Sequence, residues 1–258
     1  MKVLFLILLL GLASNVYPQT NDSVLVGSAA LWNAADVPLP VQKKLAYLLP
    51  ATSLLYGVLG REWDPLEHLD KDIRSEILED YPHFRTNLED HLQYMPAVSV
   101  YILGLSGVKG KNTTLDKTAL YLISHTLTNL SVKFLKKQTH RLRPDGSDHL
   151  AFPSGHTATA FAAAEFMNQE YKDASPWYGV AAYSMASATG TLRMLNKKHW
   201  LSDVVMGAGV GILTTKLVYL GYPVIKRKIA GKKESKLVII PVYQHGLYGF
   251  SMAATLKR

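Results

Sequence analysis

The 258-residue chain contains no cysteine, and this removes several kinds of protein at once. A disulfide framework, a thiolate zinc site, a cysteine nucleophile and a lipid-modified N-terminal cysteine are all excluded. Charge is also sparse: Asp, Glu, Lys and Arg make up 19% of residues against 48% hydrophobic ones, which excludes an intrinsically disordered chain. Long uninterrupted apolar runs are scarce as well. The stretch Leu45 to Gly60 holds 16 uncharged residues, Glu165 interrupts a later run and Lys216 divides the last one, whereas a bilayer span wants about 20 predominantly apolar residues. Mean hydropathy is +0.06, on the border between soluble and membrane-embedded chains. The length suits one large domain or two small ones.

What is present begins with Met1-Lys2, an apolar run from Val3 to Ala13 and the small pair Ala13-Ser14. A charged start, an apolar core and a small-residue exit predict a secretory signal peptide over residues 1–14, followed by a lead segment over 15–44. Six helices are predicted, at roughly 45–60, 92–107, 118–140, 154–172, 176–194 and 202–225, which makes the 45–225 domain all-α. The interval Arg61 to Asp90 reads as an acidic loop, with Glu62, Asp64, Glu67, Asp70, Asp72, Glu76, Glu79 and Asp80. If all six helices spanned a membrane with Lys226-Arg227-Lys228 and Lys232-Lys233 on the cytoplasmic side, Leu45 would also begin in the cytoplasm. A cleaved signal peptide forbids this without another crossing between 14 and 44. The expectation is therefore an exported protein, soluble or lying against a membrane, in preference to one with six spans. After the basic linker from 226, Leu237 to Val242 and Leu247 to Leu256 flank Gln244-His245-Gly246, the pattern of a small C-terminal β-hairpin.

Three sequence clusters carry chemistry. Lys136 and Arg143 are seven residues apart, nearly two helical turns, so both cations are expected on one helix face, with Pro144 ending the helix just beyond Arg143. Taken alone they read as cations complementing a helix C-terminus. Next, Phe152-Pro153-Ser154-Gly155-His156 precedes an alanine-rich helix. Ser154 fits an N-cap; equally, a helix N-terminus, a glycine and a hydroxyl form an anion cradle with an imidazole at its rim. Third come Arg193, His199 and Asp203. His199 and Asp203 are four apart, so the carboxylate is expected to hold one ring nitrogen and free the other as nucleophile or base. Together these clusters predict a site at the ends of several helices that binds a phosphoryl-type anion, where one His attacks phosphorus and a second protonates the departing oxygen. Three fixed cations and backbone amides would stabilise the transition-state charge, so no metal is required.

In these motifs the sequence resembles the type 2 phosphatidic acid phosphatase and vanadium haloperoxidase superfamily: Lys136, six residues, then Arg143-Pro144; Pro153-Ser154-Gly155-His156; and Arg193, five residues, His199, three residues, Asp203. The resemblance covers about residues 90–225. It implies a six-helix bundle and a metal-free, two-step hydrolysis without a cofactor, although vanadate would bind as a phosphate analogue. In that scheme His199 is the nucleophile, Asp203 orients it, and His156 is general acid and then base. Lys136, Arg143, Arg193, the Ser154 hydroxyl and the Gly155 amide hold the phosphoryl oxygens. Leu192 departs from the family's usual Ser, a position that normally adds a hydrogen bond. The neighbouring Lys133, Lys137, Arg141 and His149 are assigned no role beyond a steering field; His140, four after Lys136, shares its predicted face.

The expected function is a phosphatase of the cell envelope with a periplasmic active site. It would act on a phosphomonoester or pyrophosphate, above all of a lipid: phosphatidate, phosphatidylglycerol phosphate, polyprenyl pyrophosphate or lipid A. A membrane surface is the expected partner. A soluble periplasmic non-specific acid phosphatase is the alternative, and a vanadium-dependent haloperoxidase follows it. Nucleic acid is not an expected partner, because the basic residues of 226–236 lack interleaved aromatics.

Overall fold

The computed structural model describes residues 46–230, 237–244 and 247–254. The signal peptide predicted over 1–14, the lead segment to 44 and the lysines at 232 and 233 lie outside them. The described residues form helices α1 (Leu48–Glu62), α2 (Asp64–Asp80), α3 (Leu88–Leu92), α4 (Met95–Leu105), α5 (Thr114–Thr139), α6 (Gly155–Tyr171), α7 (Pro176–Leu195) and α8 (Leu201–Ala230). The chain divides into two compact units, one up to Val218 and the other from Tyr219 onward. In the second, β1 (Leu237–Gln244) and β2 (Leu247–Ala254) pair antiparallel from Leu237↔Ala254 to Gln244↔Leu247, the hairpin anticipated from the β-branched run.

All six predicted helices are present, as α1 and α4 through α8, and they make a helical bundle. Local chemistry sets their ends. Thr113 caps α5 by accepting the Asp116 N–H, Ser154 caps α6 by accepting the Thr157 N–H, and Ser175 caps α7 just before Pro176 at its first turn. The α6 helix is the hub: Ala158, Ala160, Ala162, Ala163, Ala164 and Phe166 are all buried. Its small side chains let α8 come unusually close. A Cβ added at Gly207 would lie 2.6 Å from the Ser154 carbonyl oxygen, and one at Gly211 would lie 2.3 Å from that of Ala158. The packing thus fixes the start of α6 against the first turns of α8.

Two sequence expectations are corrected. The acidic interval Arg61 to Asp90 is mostly helix, not loop. In α2, Asp64-Pro65 opens the helix and Ile73 and Ile77 enter a core with Met194, Leu201 and Val204, Leu69 packing beside them; the other acidic side chains of α2 are mainly outward. The signal was the spacing of Leu66, Leu69, Ile73 and Ile77, one stripe of a helix, hidden by the net charge. Nor does Lys216 keep the last helix from having the length and apolarity of a span. Its ammonium pairs with the fully buried Glu165 at 2.9 Å, so α8 continues unbroken, and Leu201–Lys228 is long and apolar enough to cross a membrane.

Gly211→Ala should therefore lower unfolding stability by about 1–3 kcal/mol in a denaturant titration. Gly221→Ala, which has nothing within 4 Å of the added carbon, should leave it unchanged or slightly higher.

Candidate active site

The functional candidates converge where the end of α5, the start of α6, the end of α7 and the start of α8 meet. Lys136, in the last turn of α5, donates its ammonium to the Leu150 carbonyl. The helix ends at Thr139, and His140 follows in the left-handed conformation with φ 43°. Arg143 is thus off the helix and does not share a face with Lys136 as predicted. It sits in the turn that leads to α6, held by Asp148 at 2.7 Å through Nε and donating through Nη1 to the Lys198 carbonyl at 3.2 Å. His140 and His149 are exposed, linked to each other by a 3.3 Å contact from the His149 ring to the His140 carbonyl, and Lys133 and Lys137 point to solvent.

Ser154 is completely buried. Its hydroxyl oxygen accepts from the Thr157 N–H at 3.4 Å and the Thr157 hydroxyl at 2.8 Å, and its own N–H donates to the Asp203 carbonyl at 3.0 Å. The N-cap and cradle readings are therefore compatible, since the Ser154 O–H remains free to donate. Gly155 opens α6 with only a Val132 methyl, 3.7 Å away, near the place of its missing side chain. His156, in the same first turn, faces Asp90 of α3, with Nε2 2.8 Å from the carboxylate.

His199 is buried. Its Nε2 lies 3.4 Å from the Arg143 guanidinium, and its Nδ1 lies 2.7 Å from the Ala151 carbonyl oxygen but 3.6 Å from Asp203. The expectation that Asp203 holds the ring is thus modified. The main-chain carbonyl is the nearer acceptor, which fixes the proton on Nδ1 and leaves Nε2 as the lone-pair nitrogen beside Arg143. Desolvation is the larger influence on this imidazole, followed by the opposing bond to Asp203, and the net effect pushes its pKa down to about 4. Burial also brings Lys136 down to about 8, with Arg143 adding to the shift, and it lowers His156 together with Arg193 while Asp90 pulls the other way. Arg193, buried at the end of α7, pairs with Glu89 at 3.2 Å. Its charge is felt by Lys136, His156 and His199, so the predicted residues share one electrostatic environment.

Arg141 was assigned no role from sequence, yet it ties the site to α2. Its guanidinium reaches Asp203 at 2.7 Å, the Ser202 hydroxyl at 2.7 Å and Asp70 at 2.8 Å, and lies 5.3 Å over the Trp200 ring. Asp203 is completed by the Trp200 N–H at 2.8 Å. Asp70, Glu89 and Asp90 are the other carboxylates that sequence reading missed. Nothing in their spacing links them to the motifs; only folding does. Among the described residues, no group of three or more His, Asp and Glu side chains is arranged as a metal site.

This is a helical bundle with cations, backbone amides and imidazoles gathered at its helix ends. Residues 117–227 match the PAP2 superfamily. The match contains Lys136, Arg143, Ser154, Gly155, His156, Arg193, His199 and Asp203, and leaves out α1 to α4. A lipid A 1-phosphatase from Porphyromonas gingivalis is 39% identical over 153 residues, which are 59% of this chain and 34% of that protein. The chain therefore spans about a third of that relative's length. A PAP2-type phosphatidylglycerolphosphate phosphatase from Bacillus subtilis, described as transmembrane, overlays with a TM-score of 0.50 at 22% identity, covering 69% of this chain and 98% of that one. It has the same bundle fold. LpxE of Aquifex aeolicus overlays with a TM-score of 0.43 at 19% identity, over 57% of this chain and 93% of that one.

Arg141→Ala would leave Asp70 and Asp203, both buried, without their shared cation. The expected cost is about 3–5 kcal/mol in thermal or denaturant unfolding. Arg141→Lys should recover only part of it, because one ammonium cannot reproduce the guanidinium fork across two carboxylates.

Proposed function

We propose that this protein is a metal-independent phosphatase that hydrolyses a lipid phosphomonoester or pyrophosphate through a phosphohistidine. One observation carries the reading: His199 Nδ1 lies 2.7 Å from the Ala151 carbonyl, which can only accept, so that Nε2, 3.4 Å from the Arg143 guanidinium, is left with the lone pair. A nitrogen held that way is a nucleophile for whatever Arg143 binds.

Lys136, Arg143, Arg193, the Ser154 hydroxyl and the Gly155 N–H would hold the phosphoryl oxygens. His199 Nε2 attacks phosphorus as the bond to the leaving oxygen breaks, and protonated His156 gives that oxygen its proton. Neutral His156 then takes a proton from water, whose oxygen attacks the phosphohistidine, releasing phosphate and restoring both imidazoles. Fixed cations and the α6 N-terminus would stabilise the pentacoordinate charge without rearranging. Asp203 contributes through its position beside His199, with Arg141 keeping its carboxylate in place. Vanadate, which adopts the same five-coordinate shape, would bind these residues as a phosphate analogue and inhibit competitively.

A lipid substrate is favoured by the surface. Leu115, Leu122, Leu130 and Phe134 of α5, and Ile102 and Leu105 of α4, are large apolar side chains exposed on the bundle, and α8 has the length and apolarity of a span. Such surface suits contact with acyl chains or a membrane. The relatives named for lipid A and phosphatidylglycerolphosphate point the same way, as does the signal peptide expected over residues 1–14, with which the site would lie on the exported side of the membrane.

Two tests follow. In detergent micelles the purified protein should hydrolyse lipid A 1-phosphate or phosphatidylglycerol phosphate, and His199→Ala should abolish turnover while the protein stays folded. Efficient cleavage of small soluble phosphate esters with no action on any lipid phosphate would instead establish a non-specific acid phosphatase. The pH profile has a defined shape. Rate requires His199 deprotonated and His156 protonated, so kcat/KM should rise with pH through about 4. It should fall again as His156, lowered from its ordinary 6.5, loses its proton, giving an optimum on the acid side of neutrality.

A further inference from the structure

The short helix α3 lies outside the matched family segment, yet it brings carboxylates to two members of the site. Glu89 takes Arg193 and Asp90 takes His156. The helix is not loosely placed. Asn196, at the end of α7, accepts the Thr86 N–H at 3.0 Å, donates to the Thr86 carbonyl at 2.8 Å and also donates to Glu89. Lys197 donates to the Tyr81 and Pro82 carbonyls at 3.1 and 2.7 Å. The segment leading into α3 is therefore strapped to the end of the helix that carries Arg193, and Asp90 is delivered to His156 by a fixed frame.

We propose that Asp90 is a positioning residue for His156: its carboxylate accepts the Nε2 proton at 2.8 Å, so that the ring presents Nδ1 to the departing oxygen in its protonated form. This rests on the reading of His156 as the general acid. The chemistry is that of a carboxylate and imidazole pair, in which the negative partner fixes the ring and favours its charged state. The step balances simply: the Nδ1 proton passes to the leaving oxygen, and the neutral ring keeps its Nε2 proton on Asp90.

The charges around His156 make the need plain. Arg193 on α7 opposes its protonation, as burial does; Glu89 and Asp90 on α3 favour it. Lys136 at the end of α5 and Arg143 in the turn beyond it add positive field to the site, and Asp203 on α8, whose main-chain oxygen holds the Ser154 N–H, is already neutralised by Arg141. The α4 helix, which packs on α6, has no charged residue between Met95 and Leu105. Asp90 is thus the carboxylate in direct contact with a ring that is otherwise discouraged from carrying a proton.

Because Asp90 is half-exposed, Asp90→Asn should fold normally. Two substrates test it: a lipid or alkyl phosphate, whose alkoxide needs a proton to leave, and p-nitrophenyl phosphate, whose phenolate does not. The expected result is a roughly 10- to 100-fold loss of kcat/KM on the alkyl substrate with less than about threefold loss on the aryl one. The high-pH limb of kcat/KM should also move to lower pH, and Asp90→Glu should restore part of both. Adding Asp90→Asn to His156→Ala should change nothing further. Equal losses on the two substrates, or an unmoved limb, would overturn the proposal. If His156→Ala shows the leaving-group selectivity in kcat/KM, which reports phosphorylation and not the later water step, and Asp90→Asn behaves as wild type, only the role of Asp90 falls; if His156→Ala shows no selectivity in kcat/KM, the general-acid reading itself is wrong.

Discussion

Cations gathered at one end of a helical bundle repel each other, and folding has to offset that repulsion before any substrate arrives. Here most of the positive or ionisable groups have a carboxylate of their own: Asp148 on Arg143, Glu89 on Arg193, Asp90 on His156, and Asp70 with Asp203 on Arg141. The pairing is not uniform. Lys136 has a carbonyl instead of a carboxylate as its hydrogen-bond partner, and its lowered pKa reflects burial and the neighbouring Arg143. Under the proposed function, a phosphoryl dianion would complete the balance by adding negative charge to these cations. On that proposal, affinity for phosphate and stability of the fold would be two outcomes of one electrostatic arrangement.

The arrangement depends on how tightly the bundle closes. Gly207 and Gly211 on α8 let that helix lie against the main chain of α6, which brings Asp203 to the Ser154 N–H and His199 to the Ala151 carbonyl. The proposed anion cradle and the proposed nucleophile are thereby set by backbone contacts, which do not shift with side-chain rotamers. On the outer side, α2 is pinned through the Arg141 fork to the first turn of α8, where Asp70 also accepts the Ser202 N–H at 3.0 Å. Packing and chemistry meet at that turn, since Leu201 and Val204 join the apolar core with Ile73, Ile77 and Met194.

Much of this was legible from sequence, and the parts that were not share a cause. Lys136, Arg143, Ser154, Gly155, His156, Arg193, His199 and Asp203 stood out because their spacings join residues of one chemistry within a few turns, and the fold does gather them. Asp70, Glu89 and Asp90 pair with side chains 66 or more residues away along the chain, and in an acidic stretch no single carboxylate is distinguished from its neighbours. Arg141 looked like one more surface cation beside Lys137 and His140 because its two partners are on different helices. The ring of His199 is held by a carbonyl, which every residue possesses and no sequence pattern marks. The α2 helix was missed for a different reason: its apolar stripe was present, but the charge of its exposed face dominated the reading. Lys216 shows the same error at one residue, since its buried partner Glu165 sits on another helix.

The central claim is that His199 carries the phosphoryl group between the two halves of the reaction. The direct measurement is to mix His156→Ala with p-nitrophenyl phosphate, whose leaving group needs no acid, quench at alkaline pH where phosphohistidine survives, and map the phosphorylated peptide. The account predicts an acid-labile phosphoryl group on His199, accumulating because the base that activates water has been removed. A phosphoryl group on another residue, or turnover by this variant with none trapped on the protein, would contradict it.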